Sequence, residues 1–413
     1  MMKVPATPAT PPSGPPGDPR TRSQLLIDWA VEAGFTRAGV SRLEPSAQGE
    51  ALRLWLERGD HAEMRWFEKN VDVRLDPRRR LPGSRTALVV ALQYHPLEDE
   101  APVEGDLWPR VARYARGRDY HDFMVKQLKA LARRIEDAFP GAATRPYVDT
   151  GPVLERELAA RAGLGVQGKN TNLLHRRWGS YFLLGELLLT LDLEPSEPIA
   201  DLCGRCRRCL DHCPTEALRE PFRLDSRRCI SYWTIEHRGA LPEAAREMLG
   251  EWVFGCDICQ EVCPWNYKAE AGDHDQLRLP PERRELDLAG LLNLGRDEYV
   301  RRFTRSPMKR AKLGGLKRNA AVVMGNRGDA AYRPALAQCL ADEEEALVRR
   351  HAAWALGRIG GPASEEILKS ALGREPDADV RTEIAAALAR CGVVGADPTS
   401  PRASTAGDGD ERR

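Results

Sequence analysis

The sequence predicts an α+β chain in three parts: an N-terminal α/β domain, a small cysteine-rich insert and a C-terminal stack of helical pairs. Three observations predict it. Short apolar runs alternate with amphipathic helical segments between Gln24 and Leu193, eight of the ten cysteines crowd between Cys203 and Cys263, and a 32-residue period recurs from Leu316 onward.

In the first part, Gln24 to Ala33 carries helical apolar spacing (Leu25, Leu26, Trp29, Ala30), and Gly34 is placed to stop it. Thr86 to Tyr94 and Arg145 to Val148 read as buried strands, with a helical pattern over His121 to Phe139 between them. In the last part, Leu316-Lys317-Arg318-Asn319-Ala320-Ala321 aligns with Val348-Arg349-Arg350-His351-Ala352-Ala353, and the period continues at Val380-Arg381. Three such units resemble short HEAT-like helical pairs, which stack because one pair cannot bury its apolar face alone. The expected boundaries are a disordered tail at 1–20, the α/β domain at 21–195, the cysteine insert at 196–282, a basic linker with repeats at 283–392, and a second tail at 393–413.

A chain of 413 residues with 42% hydrophobic and 30% charged residues has the composition of a soluble globular protein. Its net charge of +1 excludes a whole-protein electrostatic grip on nucleic acid, so any such grip is local. The proline-rich start lacks the apolar core of a signal peptide, and the run Tyr181 to Leu193 is too short to span a bilayer and is broken by Glu186 and Asp192. The expectation is a cytoplasmic protein without membrane contact. In that reducing compartment, closely spaced cysteines are metal or cluster ligands rather than disulfides.

Cys203, Cys206, Cys209 and Cys213 form C-x2-C-x2-C-x3-C followed by Pro214, the bacterial ferredoxin run. One tight loop can point three thiolates at one cubane, while the fourth serves the neighbouring cluster. A second group follows as Cys229, Cys256, Cys259 and Cys263, closed by Pro264. The expected ligand sets are Cys203, Cys206, Cys209 and Cys263 for one [4Fe-4S] cluster, and Cys213, Cys229, Cys256 and Cys259 for the other. Two zinc sites are the competing reading, which the three thiols at two-residue spacing and the two Cys-Pro endings disfavour. Cys339 and Cys391 fall in the repeats as packing residues.

A cluster pair alone is a wire. The segment that can carry chemistry is Tyr147-Val148-Asp149-Thr150-Gly151-Pro152, then a helix expected over Val153 to Ala162, then Gly163-Leu164-Gly165-Val166-Gln167-Gly168. Those glycines spell G-x-G-x-x-G, but a helix precedes them, so Gly163 reads as its stop and a dinucleotide site is not expected. Asp149 has two readings. It accepts backbone N–H bonds at the helix start, or, with Gly151 and Pro152 as N-cap and N1, it is free to donate a proton if buried. Glu155 and Arg156 read as a solvated or paired face.

Taken together, Arg113-Tyr-Ala-Arg-Gly-Arg-Asp-Tyr-His121, Val148-Asp-Thr-Gly-Pro152, Gly168-Lys-Asn170, Gly179-Ser180, the ferredoxin run, Arg228-Cys-Ile-Ser-Tyr232 and Gly255-Cys-Asp-Ile-Cys-Gln260 resemble the epoxyqueuosine reductase family over roughly Leu25 to Gly392. The resemblance implies a cobalamin between the N-terminal domain and the cluster insert, in a fold similar to the reductase domain of reductive dehalogenases. It also implies reduction of the epoxide of epoxyqueuosine at the tRNA wobble position, the last step of queuosine synthesis.

By that likeness Asp149 is the catalytic proton donor, and Arg74, Asp149, Lys169, Leu173, Ser231 and Asp257 are cofactor-side positions. For the side chains other than Asp149 the plain alternatives are a solvated basic face, core packing and bracing of the cluster loops. A tRNA anticodon stem-loop would meet the basic run Arg301, Arg302, Arg305, Lys309, Arg310, Lys312, Lys317 and Arg318, with weaker contacts at Arg113, Arg116 and Arg118. A reducing electron donor and a monomeric state complete the expectation. The rivals are a cobalamin and iron-sulfur dehalogenase-like enzyme, or a non-catalytic iron-sulfur electron carrier.

Overall fold

The computed structural model describes residues 17–94, 107–272 and 274–394. Most of the two expected tails lies outside the described residues. Helix α1 spans Pro19–Glu32, beginning before the Gln24 at which the helical pattern is expected to start. Asp18 caps it by accepting the Thr21 N–H at 3.0 Å, and proline is tolerated at its first turn. Gly34 ends it at φ 98°, a left-handed conformation that glycine adopts without cost.

Four strands form one antiparallel sheet in the order β1-β2-β6-β3: β1 (Arg37–Arg42), β2 (Thr86–Gln93), β3 (Thr144–Tyr147) and β6 (Phe182–Leu189). β2 and β3 lie where the apolar runs predict them. β1 and β6 are findings of the structure, and β6 is the partner of both β2 and β3. Every residue of β2 is buried because both sheet faces are covered. On one face Leu88, Val90, Leu183, Leu187 and Leu189 pack with α1 and α4 (Tyr120–Ala138), so closely that a Cβ on Gly185 would stand 3.0 Å from Leu128 Cδ1. On the other face Ala87, Val89, Ala91 and Leu188 meet α5 (Glu155–Arg161) through Leu158, Ala159 and Ala162. Two short helices, α2 (Gly49–Glu57) and α3 (Val71–Leu75), lie between β1 and β2 in the chain.

α5 starts two residues later than expected, with Leu154 as its N-cap, so Gly151 and Pro152 belong to the preceding turn. Gly151 is packed against the Tyr147 ring, where a Cβ would come within 2.3 Å of the ring, and this fixes the turn before the helix. Gly163 does stop α5, at φ 69° with Leu164 N–H returning to Ala159 O at 3.0 Å. The glycines beyond it flank a two-stranded ribbon of β4 (Val166–Gln167) and β5 (Leu173–Leu174). In the cysteine region a short helix, α6 (Arg208–Asp211), precedes α7 (Ile230–Ile235).

The chain divides into two compact units. One comprises Met1–His237, Phe254–Leu286 and Arg296–Lys312, and the other Arg238–Val253, Asp287–Gly295 and Leu313–Arg413. Within the second, helices Arg333–Asp342, Ala346–Ile359, Gly361–Leu372 and Ala378–Val394 follow the long helix Lys312–Arg327. Its period has a physical basis. Gly325 and Gly357 occupy equivalent positions, and a Cβ on either would come within 2.9 Å or less of the backbone of Ala355 or Ala387, so glycine sets the distance between successive helices. A cation recurs at the same interval. Lys317 pairs with Glu343 and Arg349 with Glu375, while Arg381 donates to Glu375 O at 2.9 Å.

Candidate functional site

The structure brings Cys203, Cys206, Cys209 and Cys263 together around one cavity of ≈ 40 Å³, and Cys213, Cys229, Cys256 and Cys259 into a second group. The first loop turns tightly, with Cys206 N–H donating to Cys203 O at 3.0 Å and the Cys203 and Gly204 amides donating to the Asp201 carboxylate at 2.9 and 3.1 Å. Burial and the neighbouring Cys203, Cys263 and Cys206 push the Cys209 thiol up to about 11. All eight thiols are free, and a sulfur-only donor set around a cavity fits a cubane cluster. Cys339 and Cys391 are buried in the helical repeats, as packing residues should be.

Several of the expected cofactor-side residues prove to build the walls of these cluster loops. Lys169, at the tip of the β4-β5 ribbon, donates from Nζ to Gly204 O at 2.7 Å and Cys206 O at 2.8 Å. Its neighbour Asn170 donates to Cys259 O at 3.1 Å, so one turn braces both cluster loops. Leu173 is core, buried beside Leu164 and Trp178. Asp257 is buried and hydrogen-bonded through both oxygens, accepting the Arg113 backbone N–H at 2.7 Å and a Gln260 amide hydrogen at 3.3 Å; burial still lifts its carboxyl to about 6. The Ser231 hydroxyl serves the Cys229 sulfur. Arg74 differs from these four. Its guanidinium lies over the Phe67 ring at 5.1 Å, its Nε is buried without a partner among the described residues, and burial lowers its pKa against the pull of Glu155.

Asp149 sits at the centre of a left-handed turn, with φ 55° and the Thr150 N–H folded back onto Val148 O at 2.5 Å. A non-glycine residue held there is strained, and such strain collects at functional sites. The turn leaves 57% of the Asp149 side chain exposed, so the burial that a proton-donor role called for lies in its neighbours. His121 Nε2 is 3.3 Å from Asp149 Oδ2 and His121 Nδ1 is 2.8 Å from Asp119 Oδ1, while Lys309 reaches Asp119 at 3.0 Å. Burial works against the charge on His121, but the two carboxylate hydrogen bonds outweigh it and raise the pKa to about 9. Glu155 is no solvated face. Burial first, and Asp149 second, push its carboxyl up to about 8. Arg156 is exposed and donates to Thr171 O at 2.7 Å.

The basic run is split by the fold. Arg301, Arg305, Lys309, Arg310 and Lys312 are exposed, and Arg302 is half-buried on Glu298, which Arg301 shares. Arg310 pairs with Glu236 at 2.8 Å, covers the exposed Trp66 ring at 5.2 Å and lies in the field of Asp149. Lys317 and Arg318 do not belong to this surface. Lys317 occupies the repeat position that pairs with an acid, and Arg318 is fully buried, donating to Gly239 O at 2.9 Å and to Asn319 Oδ1. Of the three weaker candidates, Arg113 is held by Glu261 and lies over Tyr181, and Arg116 donates to Val111 O at 3.0 Å. Arg118 holds Gln276 at 2.9 Å.

Curated relatives cover most of this chain. The epoxyqueuosine reductase of Xanthomonas campestris is 40% identical over 343 residues, which is 80% of this chain and 94% of that protein. The chain belongs to the epoxyqueuosine reductase family. It is accordingly an oxidoreductase. The epoxyqueuosine reductase of Gloeobacter violaceus is 44% identical over 72% of this chain and 93% of its own length. The family described as epoxyqueuosine reductase QueG, DUF1730, matches residues 74–150, a 4Fe-4S double cluster binding domain matches 202–266, and HEAT repeats match 314–389. Among solved structures, an epoxyqueuosine reductase bound to an epoxyqueuosine-modified tRNA-Tyr stem loop is 30% identical, with TM-score 0.83 over 89% of this chain and 98% of that one. The reductase from Streptococcus thermophilus gives 28% and 0.80 over the same shares. No helix among the described residues of this epoxyqueuosine reductase family member is long and apolar enough to cross a membrane.

Sequence reasoning passed over His121, Asp119 and Glu155 as members of the site. His121 and Asp119 had a signal, since both stand in the Arg113 to His121 stretch that carries the family resemblance.

Proposed function

We propose that the chain reduces the epoxide of epoxyqueuosine at the wobble position of tRNA to the cyclopentene of queuosine, with Asp149 as the proton donor. The observation that carries this reading is the setting of Asp149, exposed on a strained turn, in the field of Arg310 and joined through His121 and Asp119 to Lys309. An acid offered to solvent at a basic edge suits a reacting group brought in on an RNA phosphate backbone. Asp149 would meet the epoxide oxygen, and His121 would hold the carboxyl toward it. Arg305, Lys309, Arg310 and Lys312 would contact phosphates, with Arg301 at the margin. Trp66, exposed beneath Arg310, offers a face on which an unpaired base can stack.

Cobalamin, which the family resemblance implies, supplies the low-potential electrons when bound, and the two cubane clusters would feed it. The residues present fit such a group. Arg74 has an orphaned buried Nε, a polar atom that the edge of a corrinoid could satisfy. Arg74 and Asp149 are therefore the proposed contacts, while Lys169, Leu173, Ser231 and Asp257 shape the walls. The expected domain at 21–195 would be the cofactor domain and 196–282 its electron relay.

The experiment is an anaerobic assay of reconstituted protein on tRNA carrying epoxyqueuosine, with a chemical reductant and nucleoside mass spectrometry as readout. Conversion to queuosine is expected. Protein loaded with corrinoid and both clusters that leaves epoxyqueuosine unchanged would refute the reading.

A further inference from the structure

Removing an epoxide oxygen as water consumes two protons, and Asp149 can hold one. Two further carboxyl groups stand behind it. Glu186 lies on β6 directly opposite Tyr147 of β3, two residues before Asp149. Strand alternation places it on the sheet face otherwise made of Ala87, Val89, Ala91 and Leu188. It is fully buried, and neither of its oxygens has a hydrogen-bond partner among the described residues. Glu155 opens α5, which packs on that same face. Its Oε1 is likewise buried without a partner, and the Asp149 backbone N–H serves its carboxylate. An ionised carboxylate poor in partners in an apolar layer is so unfavourable that it takes up a proton; both Glu186 oxygens are without one, and Glu155 has the Asp149 amide on one side only.

We propose that Glu155 and Glu186 form a buried proton store that reloads Asp149 during turnover. The proposal rests on Asp149 being the proton donor. Two electrons from the reductant and two protons break both carbon–oxygen bonds of the epoxide, form the carbon–carbon double bond and release water. Asp149 gives the first proton to the oxygen. Glu155 then passes its proton to the Asp149 carboxylate, which delivers it as the second, and Glu186 refills Glu155. After product leaves, two protons from solvent restore the set through the exposed Asp149. Neither glutamate touches substrate, so both act through Asp149.

The electrostatics describe the state in which Asp149 has given up its proton and is ionised. There burial, then Glu155 and Asp149, hold the Glu186 carboxyl well above its usual range. For Glu155 burial and Asp149 raise the pKa, while the Asp149 amide, Arg156 and His121 oppose them less strongly. The other groups facing this pair are Arg74 from α3 and Tyr120 from α4, and Tyr147 is engaged by Arg80 Nε at 2.9 Å.

The test combines infrared difference spectroscopy of the cluster-loaded full chain with pH profiles of single turnover. Wild type at neutral pH should show a protonated-carboxyl carbonyl band that Glu186→Gln removes, and a second that titrates near pH 8 and is absent in Glu155→Gln. In turnover, Glu186→Gln should be slowed about tenfold above pH 8 and little at pH 6, with Glu186→Asp restoring the rate. An active wild type without the band, or a Glu186→Gln loss that is equal at every pH and not rescued by Glu186→Asp, overturns the store alone. A wild type that shows the band yet never reduces the epoxide overturns the functional reading and the store with it.

Discussion

His121 Nε2 stands 3.3 Å from Asp149 Oδ2, and this contact ties the proposed acid to a helix start instead of leaving it on a free loop. The other ring nitrogen is held by Asp119, so the imidazole is gripped from both sides.

The grip has a pH window. His121 has its pKa raised from 6.5 to about 9, so its contribution to stability is complete below about 6.5 and is lost as pH rises through 9. Burial opposes the ionisation of Asp119, but its hydrogen bonds to His121 and Lys309 prevail and lower it from 3.8 to about 2. Its contribution is therefore present above 3.8 and lost as pH falls through 2. An NMR titration of the His121 ring should show a midpoint near 9 in wild type, falling towards 6.5 in Asp119→Asn. A midpoint that does not move would show that the carboxylates do not hold the ring.

The grouping of thiols makes a prediction about damage. Cys263→Ser should alter the same electron paramagnetic resonance signal as Cys203→Ser, although 60 residues separate them, and Cys213→Ser should alter the same signal as Cys256→Ser. If Cys213→Ser and Cys209→Ser instead disturb one common signal, the two groups are wrongly divided.

The split of the basic run separates RNA contact from folding. Arg305→Ala or Lys312→Ala, both at exposed positions, should weaken stem-loop binding and reduce its salt slope by roughly one unit each, with little change in melting. Arg318→Ala should instead destabilise the helical repeats by about 2 kcal/mol, through the buried acceptors it abandons, and leave the salt slope alone. Fluorescence anisotropy across a salt series, beside denaturant melts, checks both. A salt slope that moves with Arg318 would return that residue to the RNA surface.

The parts of the molecule legible in the sequence are those encoded over short distances. Cysteines two and three residues apart define a cluster loop on their own, and the 32-residue period shows the helical pairs directly. β2 and β3 were equally local, being brief apolar runs. What the sequence hides depends on partners far along the chain. Lys317 and Arg318 look like part of a basic run until Glu343 and the carbonyl of Gly239 are seen to claim them. The bonds that Lys169 makes to the Gly204 and Cys206 carbonyls are of the same kind, reaching 35 and 37 residues along the chain. Glu186 carried a usable signal, a lone acid inside the apolar run Phe182 to Leu189, but it served only to argue against a membrane span. Its meaning came from the sheet register that sets it opposite Tyr147 and near Asp149.

The central claim is that Asp149 gives the proton that lets the epoxide oxygen leave. Single turnover of an epoxyqueuosine stem-loop by anaerobic Asp149→Asn, with both clusters intact and reduced beforehand, measures it most directly. The rate should fall by about 10²- to 10⁴-fold while stem-loop affinity stays within about threefold of wild type. Turnover at the wild-type rate by Asp149→Asn would contradict the account.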